Sequence, residues 1–277
     1  MDQRDMRLVI AAHHEPGATK IAREIKERGL TDVFAAIPES LRVDIRETYN
    51  AIAQSGGEFL IPEDAQWPPF LNELDVPPIA LIVKGDLAIL SEESLAIVGT
   101  RNPTPYGIRN AQEFAAGFVD RGWAIVSGGA YGIDSAAHRG ALIAEGATIA
   151  VTASGLDSSY PAGNQRLFDE IAENGAIVTE YLPGAIARPH RFLVRNRLIA
   201  ALSRGTIVIE AAFRSGSLRT ARDAADLMRP VMAIPGPINA PTSEGCHRLI
   251  GERSAELVSS VADAYELLTS LVSPMEK

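Results

Sequence analysis

Leu95-Ala96-Ile97-Val98-Gly99-Thr100-Arg101-Asn102-Pro103-Thr104-Pro105-Tyr106-Gly107 is the stretch that decides the fold. It opens as an unbroken apolar run, the pattern of a strand buried on both faces of a parallel sheet. At Gly99 the run breaks into small, polar and proline residues, and an amphipathic pattern begins at Ile108. Strand, turn and helix follow in that order. In an open α/β sheet ligands sit beyond the carboxyl ends of the strands, so Gly99–Gly107 is expected to border the mouth of a site. Arg101 is the first cation there. A salt bridge to a nearby carboxylate is the plainer role for it, and the turn alone does not choose.

The same rhythm continues downstream. Apolar strands are expected at 95–99, 123–127, 148–152, 176–179, 206–209 and 231–234, with helices at 108–120, 135–144, 165–173, 194–203 and 220–227. This alternation implies a doubly wound α/β domain with right-handed crossovers. A final helix is expected over Ala255–Leu271. Upstream, Thr19–Lys26 is amphipathic with Gly29 as its C-cap, a second short helix covers Asp32–Ile37, and His13-His14 reads as incidental in a mobile segment. Short strands are expected at Glu58–Ile61 and Ile79–Val83. The boundary falls near residue 61, giving a small helical domain over 1–60 and the α/β domain over 61–277.

The composition sets bounds. The chain has 277 residues and 46% hydrophobic residues, enough for a large core. One cysteine, Cys246, excludes an intrachain disulfide and multi-cysteine zinc sites. The absence of a signal-peptide layout or a membrane-length apolar run points to the cytoplasm and away from a membrane. The net charge of −9 disfavours a polyanionic partner. Its distribution does the opposite: Arg188–Arg229 holds nine arginines against Glu210, Asp223 and Asp226, a local +6. That asymmetry fits an anion site or a solvated helix face.

Each strand end carries small or polar residues. Ser127-Gly128-Gly129-Ala130-Tyr131-Gly132-Ile133-Asp134 can bring backbone close to a ligand and present N–H groups to an anion, without the spacing of a dinucleotide fingerprint. Ser215-Gly216-Ser217 enters a helix as a second phosphate nest and is not a Walker A loop. Arg195 and Arg197 can fork onto phosphates. Asp134 and Glu210 fit loop-holding or arginine-holding roles better than catalysis. His138, Cys246 and His247 lack metal-ligand spacing. No cofactor is expected.

Assembled in order, these motifs resemble the DprA/Smf family of bacterial DNA-processing proteins over roughly Pro62–Asp263. The resemblance rests on Ile97–Arg101 with Tyr106-Gly107, Ser127–Asp134 with Ala137-His138, Gly155–Asp157 with Tyr160-Pro161 and Asn164, Arg195–Ile199, Glu210-Ala211, Ser215–Leu218 with Thr220-Ala221, and Pro235-Gly236. It implies an extended Rossmann-like, mostly parallel sheet and a protein without turnover. Such a protein binds and protects single-stranded DNA and delivers it to the RecA recombinase during natural transformation, commonly as a homodimer. By that resemblance Arg101 contacts a phosphate, Ser127, Gly128 and the Tyr160–Asn164 loop border the strand, and Arg195 and Arg197 add charge. Engaging about four phosphates would give a log–log salt slope near −2.8. Ala162 stands where many members carry a basic residue, with Arg166 one turn away. The chain ends at Lys277 without room for the winged-helix-like module of many members. The alternative is a nucleotide-binding enzyme at the same mouth, such as a hydrolase of nucleoside monophosphate glycosidic bonds, with Glu210 or Asp134 as its carboxylate.

Overall fold

The computed structural model describes residues 1–271, so residues 272–277 of the second segment lie outside the described residues. Four helices open the chain: α1 (Gln3–His13), α2 (Thr19–Arg28), α3 (Leu30–Ala35) and α4 (Ile45–Gln54). His13 is thus the last residue of a helix rather than part of a loose segment. Asp2 caps α1 by accepting the Asp5 N–H, and Leu8, Val9 and Ile10 are buried. Strands β1 (Glu58–Leu60) and β2 (Leu81–Gly85) follow, and β2 places β1 antiparallel at one edge of the sheet.

The alternating part then runs β3 (Ser94–Val98), α5 (Pro105–Val119), β4 (Ala124–Ser127), α6 (Ile133–Ile143), β5 (Thr148–Val151), α7 (Gln165–Asn174) and β6 (Ala176–Thr179). It returns through α8 (Pro189–Ala201), β7 (Gly205–Val208), α9 (Ser217–Asp226), β8 (Val231–Ala233), α10 (Glu244–Gly251), β9 (Glu256–Leu257) and α11 (Val261–Leu271). The strand order is β1-β2-β6-β5-β4-β3-β7-β8-β9. All neighbours from β6 to β9 are parallel. This is the expected doubly wound α/β architecture.

Residues alternate across each strand, as the pleat demands. Ala96 and Val98 of β3 pack with Leu198, Ile199 and Leu218 from α8 and α9 on one face. Leu95 and Ile97 pack with Phe114, Phe118, Ala137 and Leu268 from α5, α6 and α11 on the other.

The expected tail helix begins late. Glu256 and Leu257 pair with Met232 and Ala233 of β8 before the helix starts at Val261. Ser260 Oγ accepts the Asp263 N–H at 3.1 Å, and Asp263 accepts from Ser259, a local cap that fixes the start.

Two polar side chains, one half-buried and one buried, hold the helices in place. Arg229 caps the carboxyl end of α8, donating from Nη1 to Ala200 O at 2.7 Å, Ser203 O at 2.5 Å and Ala201 O. His138 of α6 lies fully buried with Nδ1 2.7 Å from Thr148 Oγ1. Thr148 gives its own proton to Ile125 O, so the ring donates from Nδ1, and Nε2 has no partner among the described residues. Burial, with the charge of Arg195 adding to it, drives the His138 pKa down to about 3.

Replacing Arg229 by Met is expected to lower stability by about 2 kcal/mol in urea denaturation, since three carbonyls lose a charged donor. An unchanged midpoint would show that water replaces it. His138 stays neutral in the fold while the unfolded chain takes up a proton below its ordinary value of 6.5. Its contribution is therefore complete above pH 6.5 and declines by about 1.4 kcal/mol per pH unit toward the folded-state value. His138→Gln should flatten that limb; equal slopes in parent and variant would exclude this source.

Candidate functional site

The chain runs outward from β3 to β4, β5 and β6, then comes back to β7 on the other side of β3. The carboxyl ends of β3 and β7 therefore flank the topological switch point, where open α/β sheets bind ligands. A groove of about 470 Å³, open to solvent, lies there. Gly99 and Arg101 come to it from the β3–α5 turn, Ala130 and Asp134 from the β4–α6 turn, and Tyr160 from the β5–α7 loop. Helix α8 supplies Phe192, Leu193, Arg195 and Asn196, and the β7–α9 turn supplies Ser215, Gly216 and Ser217.

Glu210 ties these turns together. Its main-chain oxygen accepts the Thr100 N–H at 2.7 Å. Its carboxylate accepts the Thr104 N–H at 2.9 Å and hydroxyl at 2.6 Å, and the Thr242 hydroxyl at 3.3 Å. Gly107 follows because a β-carbon there would collide with that carboxylate. Glu210 is 3% exposed and does not border the groove, so it holds loops rather than substrate.

Arg101 is exposed at the mouth, and among the described residues it forms no ion pair. Its guanidinium lies 5.1 Å from the Phe192 ring centre, and Phe192 in turn packs at 5.3 Å against Tyr160, which is 47% exposed. This cation–aromatic ledge includes Phe192, which the sequence hid inside the Arg188–Arg197 run. Its only signal was position, one turn before Arg195 and Asn196. Across the groove, Ser215 and Ser217 exchange a hydroxyl hydrogen bond at 2.8 Å, and Gly216 accepts from Asn196 Nδ2 at 3.2 Å.

The structure corrects several expected contacts. Ser127 is fully buried and donates to Ile97 O at 2.6 Å, stitching β4 to β3, so its side chain faces the sheet and not a strand. Arg197 is locked to both carboxylate oxygens of Glu180 at 2.7 and 2.8 Å and does not border the groove. Asn164 is buried, donating to Gly129 O at 2.9 Å and Ser135 Oγ at 2.8 Å, which staples the third loop to the second. Gly128 lies behind the wall, its oxygen accepting from Arg195 Nη1 at 2.8 Å. Arg195 does line the groove but is 4% exposed, and it also donates to Val151 O. Burial lowers its pKa to about 10, with Asp134 acting the other way. Burial likewise raises Asp134, opposed chiefly by Arg195.

The basic block is mostly neutralised. Five of its nine arginines form ion pairs: Arg191–Glu15, Arg197–Glu180, Arg204–Glu93, Arg219–Asp223 and Arg229–Glu73. Among the described residues, exposed Arg188 and Arg214 form none, and each adjoins groove-lining residues in the chain. No three His, Cys, Asp or Glu side chains among the described residues are gathered as a metal site.

Comparisons place this arrangement among known proteins. Residues 58–269 match the family described as DNA recombination-mediator protein A. The sequence is 42% identical over 230 residues to a putative DNA processing protein DprA of Mycobacterium tuberculosis, covering 78% of this chain and 59% of that relative. It is 43% identical over 205 residues to the DNA processing protein DprA of Streptococcus pneumoniae, covering 74% and 72%. The chain thus spans under three fifths of the length of the mycobacterial relative. The X-ray structure of the Streptococcus pneumoniae protein superposes with a TM-score of 0.83 at 33% identity, covering 96% of this chain and 97% of that one. A structure of DNA processing protein A from Helicobacter pylori, described for its single-stranded DNA binding mode, gives 0.71 at 33% identity, covering 79% and 99%. The chain belongs to the DNA recombination-mediator protein A family, the DprA/Smf proteins.

Proposed function

We propose that the groove holds single-stranded DNA by its sugar-phosphate chain, without catalytic turnover. In this reading the protein acts in the cytoplasm as a homodimer, protects the strand and passes it to the RecA recombinase during natural transformation. It also divides along the expected line, with helices α1–α4 as a small N-terminal unit. The observation that carries the proposal is Arg101, an exposed guanidinium at the switch point backed by the Phe192–Tyr160 ledge and facing the Ser215–Ser217 turn. A cation, a π-face and hydroxyl-lined backbone are what a sequence-tolerant strand binder needs. The Helicobacter pylori relative, described for binding single-stranded DNA, supports the same use of the fold. Among the described residues no helix is long and apolar enough to cross a membrane.

The paired arginines alter the charge arithmetic. With Arg197 engaged by Glu180, the exposed cations we assign to the rim are Arg101, which lines the groove, and Arg188 and Arg214, which adjoin lining residues in the chain. Three phosphate contacts give a log–log salt slope near −2.1, shallower than four would. Fluorescence anisotropy with labelled oligonucleotides across a salt series measures it. Arg101→Ala should weaken every sequence alike and reduce the slope by about 0.7. Binding equal to the parent's would refute the site.

Phe192→Ala tests the ledge separately. It should weaken binding about tenfold with the salt slope intact, because stacking releases no counterions. Release of free base from a nucleotide panel would instead favour the hydrolase reading.

A further inference from the structure

We infer that the inner part of the groove reads a guanine base through Asp134, an inference that rests on the strand-binding role proposed above. Asp134 lines the groove yet is only 7% exposed. Its carboxylate accepts the Ala130 N–H at Oδ2 at 3.4 Å and is held by the Gly128 N–H as well, with the charges of Arg195 and Arg101 facing it. Arg195 shares the wall and its charge is the main one favouring the Asp134 carboxylate, while its Nη1 donates to the carbonyls of Gly128 and Val151. Both groups converge on Gly128, where a β-carbon would stand 2.7 Å from Asp134 Oδ2 and 2.7 Å from Arg195 Nη1. A carboxylate held by two backbone N–H groups, and with no salt bridge among the described residues, is thus built into the wall of a groove for a polyanion.

A phosphate cannot be what meets it. Two negative groups brought together in a partly dried groove repel more strongly than they do in water. The deoxyribose backbone offers no N–H or O–H donor, for it lacks the 2′-hydroxyl. Of the strand's own groups, the one that can meet Asp134 is therefore a base. A carboxylate presents two acceptor oxygens. On the Watson–Crick edges of the four bases, only guanine sets two N–H donors side by side, N1–H and the 2-amino group. Cytosine and adenine place their amino group next to an acceptor nitrogen, and thymine flanks its single N–H with carbonyls. Burial has raised the proton affinity of Asp134, and two N–H donors would return the solvation the wall has removed. Phosphate then sits outward at Arg101 while one base turns inward to Asp134.

Competition anisotropy on the unmodified protein provides the test. A labelled all-thymidine oligonucleotide is displaced by unlabelled ones of equal length carrying one central deoxyguanosine, deoxyinosine or deoxycytidine. The guanine competitor should bind at least about fivefold tighter than all-thymidine. Deoxyinosine, which lacks only the 2-amino group, should lose most of that gain. In Asp134→Asn the guanine-to-thymine affinity ratio should fall to about one, because the amide replaces one acceptor with a donor. If all competitors displace the probe equally from the unmodified protein, Asp134 reads no base, and strand binding itself stands. If no oligonucleotide binds, the strand-binding role fails first and takes this inference with it.

Discussion

Glu210 sits where the sheet reverses direction, and its contacts set the positions of the loops around the groove. Its main chain holds the Thr100 N–H, and its buried carboxylate holds the Thr104 backbone and hydroxyl and reaches Thr242. One residue at the end of β7 thereby sets the turn after β3, the start of α5 and the segment before α10. Hydrogen bonds to a buried charge are among the stronger ones in a fold. The carboxylate is desolvated only because several donors converge on it. Arg101 projects from a turn fixed at both ends, which is why it can stand at the mouth with no ion pair among the described residues.

The other arginines show how a cationic sequence becomes a structural material. Arg229 caps a helix, Arg195 joins the ends of β4 and β5 through their carbonyls, and Arg191 and Arg197 anchor α8 to Glu15 and Glu180. Guanidinium suits this because its planar fork satisfies several acceptors at once. Helix α8 is held from one side by those pairs and lends Phe192, Arg195 and Asn196 to the groove from another. The helix that carries Phe192 is thus held by cations whose partners are carboxylates of this chain.

How legible this was in the sequence depended on where each residue's partner lies. Strands β3 to β8 were visible because a strand buried on both faces is a continuous apolar run, and no partner need be known to see one. Arg101 was visible because it follows such a run directly. Arg197 was misjudged because charge is local while its neutralising carboxylate lies 17 residues away, on another element. Ser127 ends a strand beside glycines, which reads as a loop residue facing a ligand, and only the register of β3 against β4 turns its hydroxyl inward to Ile97. β9 has two residues and exists by pairing with β8, so no periodicity announces it.

The net charge of −9 then loses most of its force as an argument against a polyanion. At physiological ionic strength exposed charges are screened beyond about 8 Å. A strand held in the groove as proposed would therefore feel chiefly the charges of the rim and wall. Within that range the mouth offers an unpaired guanidinium, while many of the nearby arginines are already spent on carboxylates. Few free cations mean that electrostatics alone cannot supply tight binding, and the remainder must come from contacts that salt does not touch. In the proposed reading, stacking on Phe192 and Tyr160 and a donor edge offered to Asp134 would be contacts of that kind. A groove poor in free charge but well supplied with oriented polar and aromatic groups grips less by attraction at a distance and more by fit.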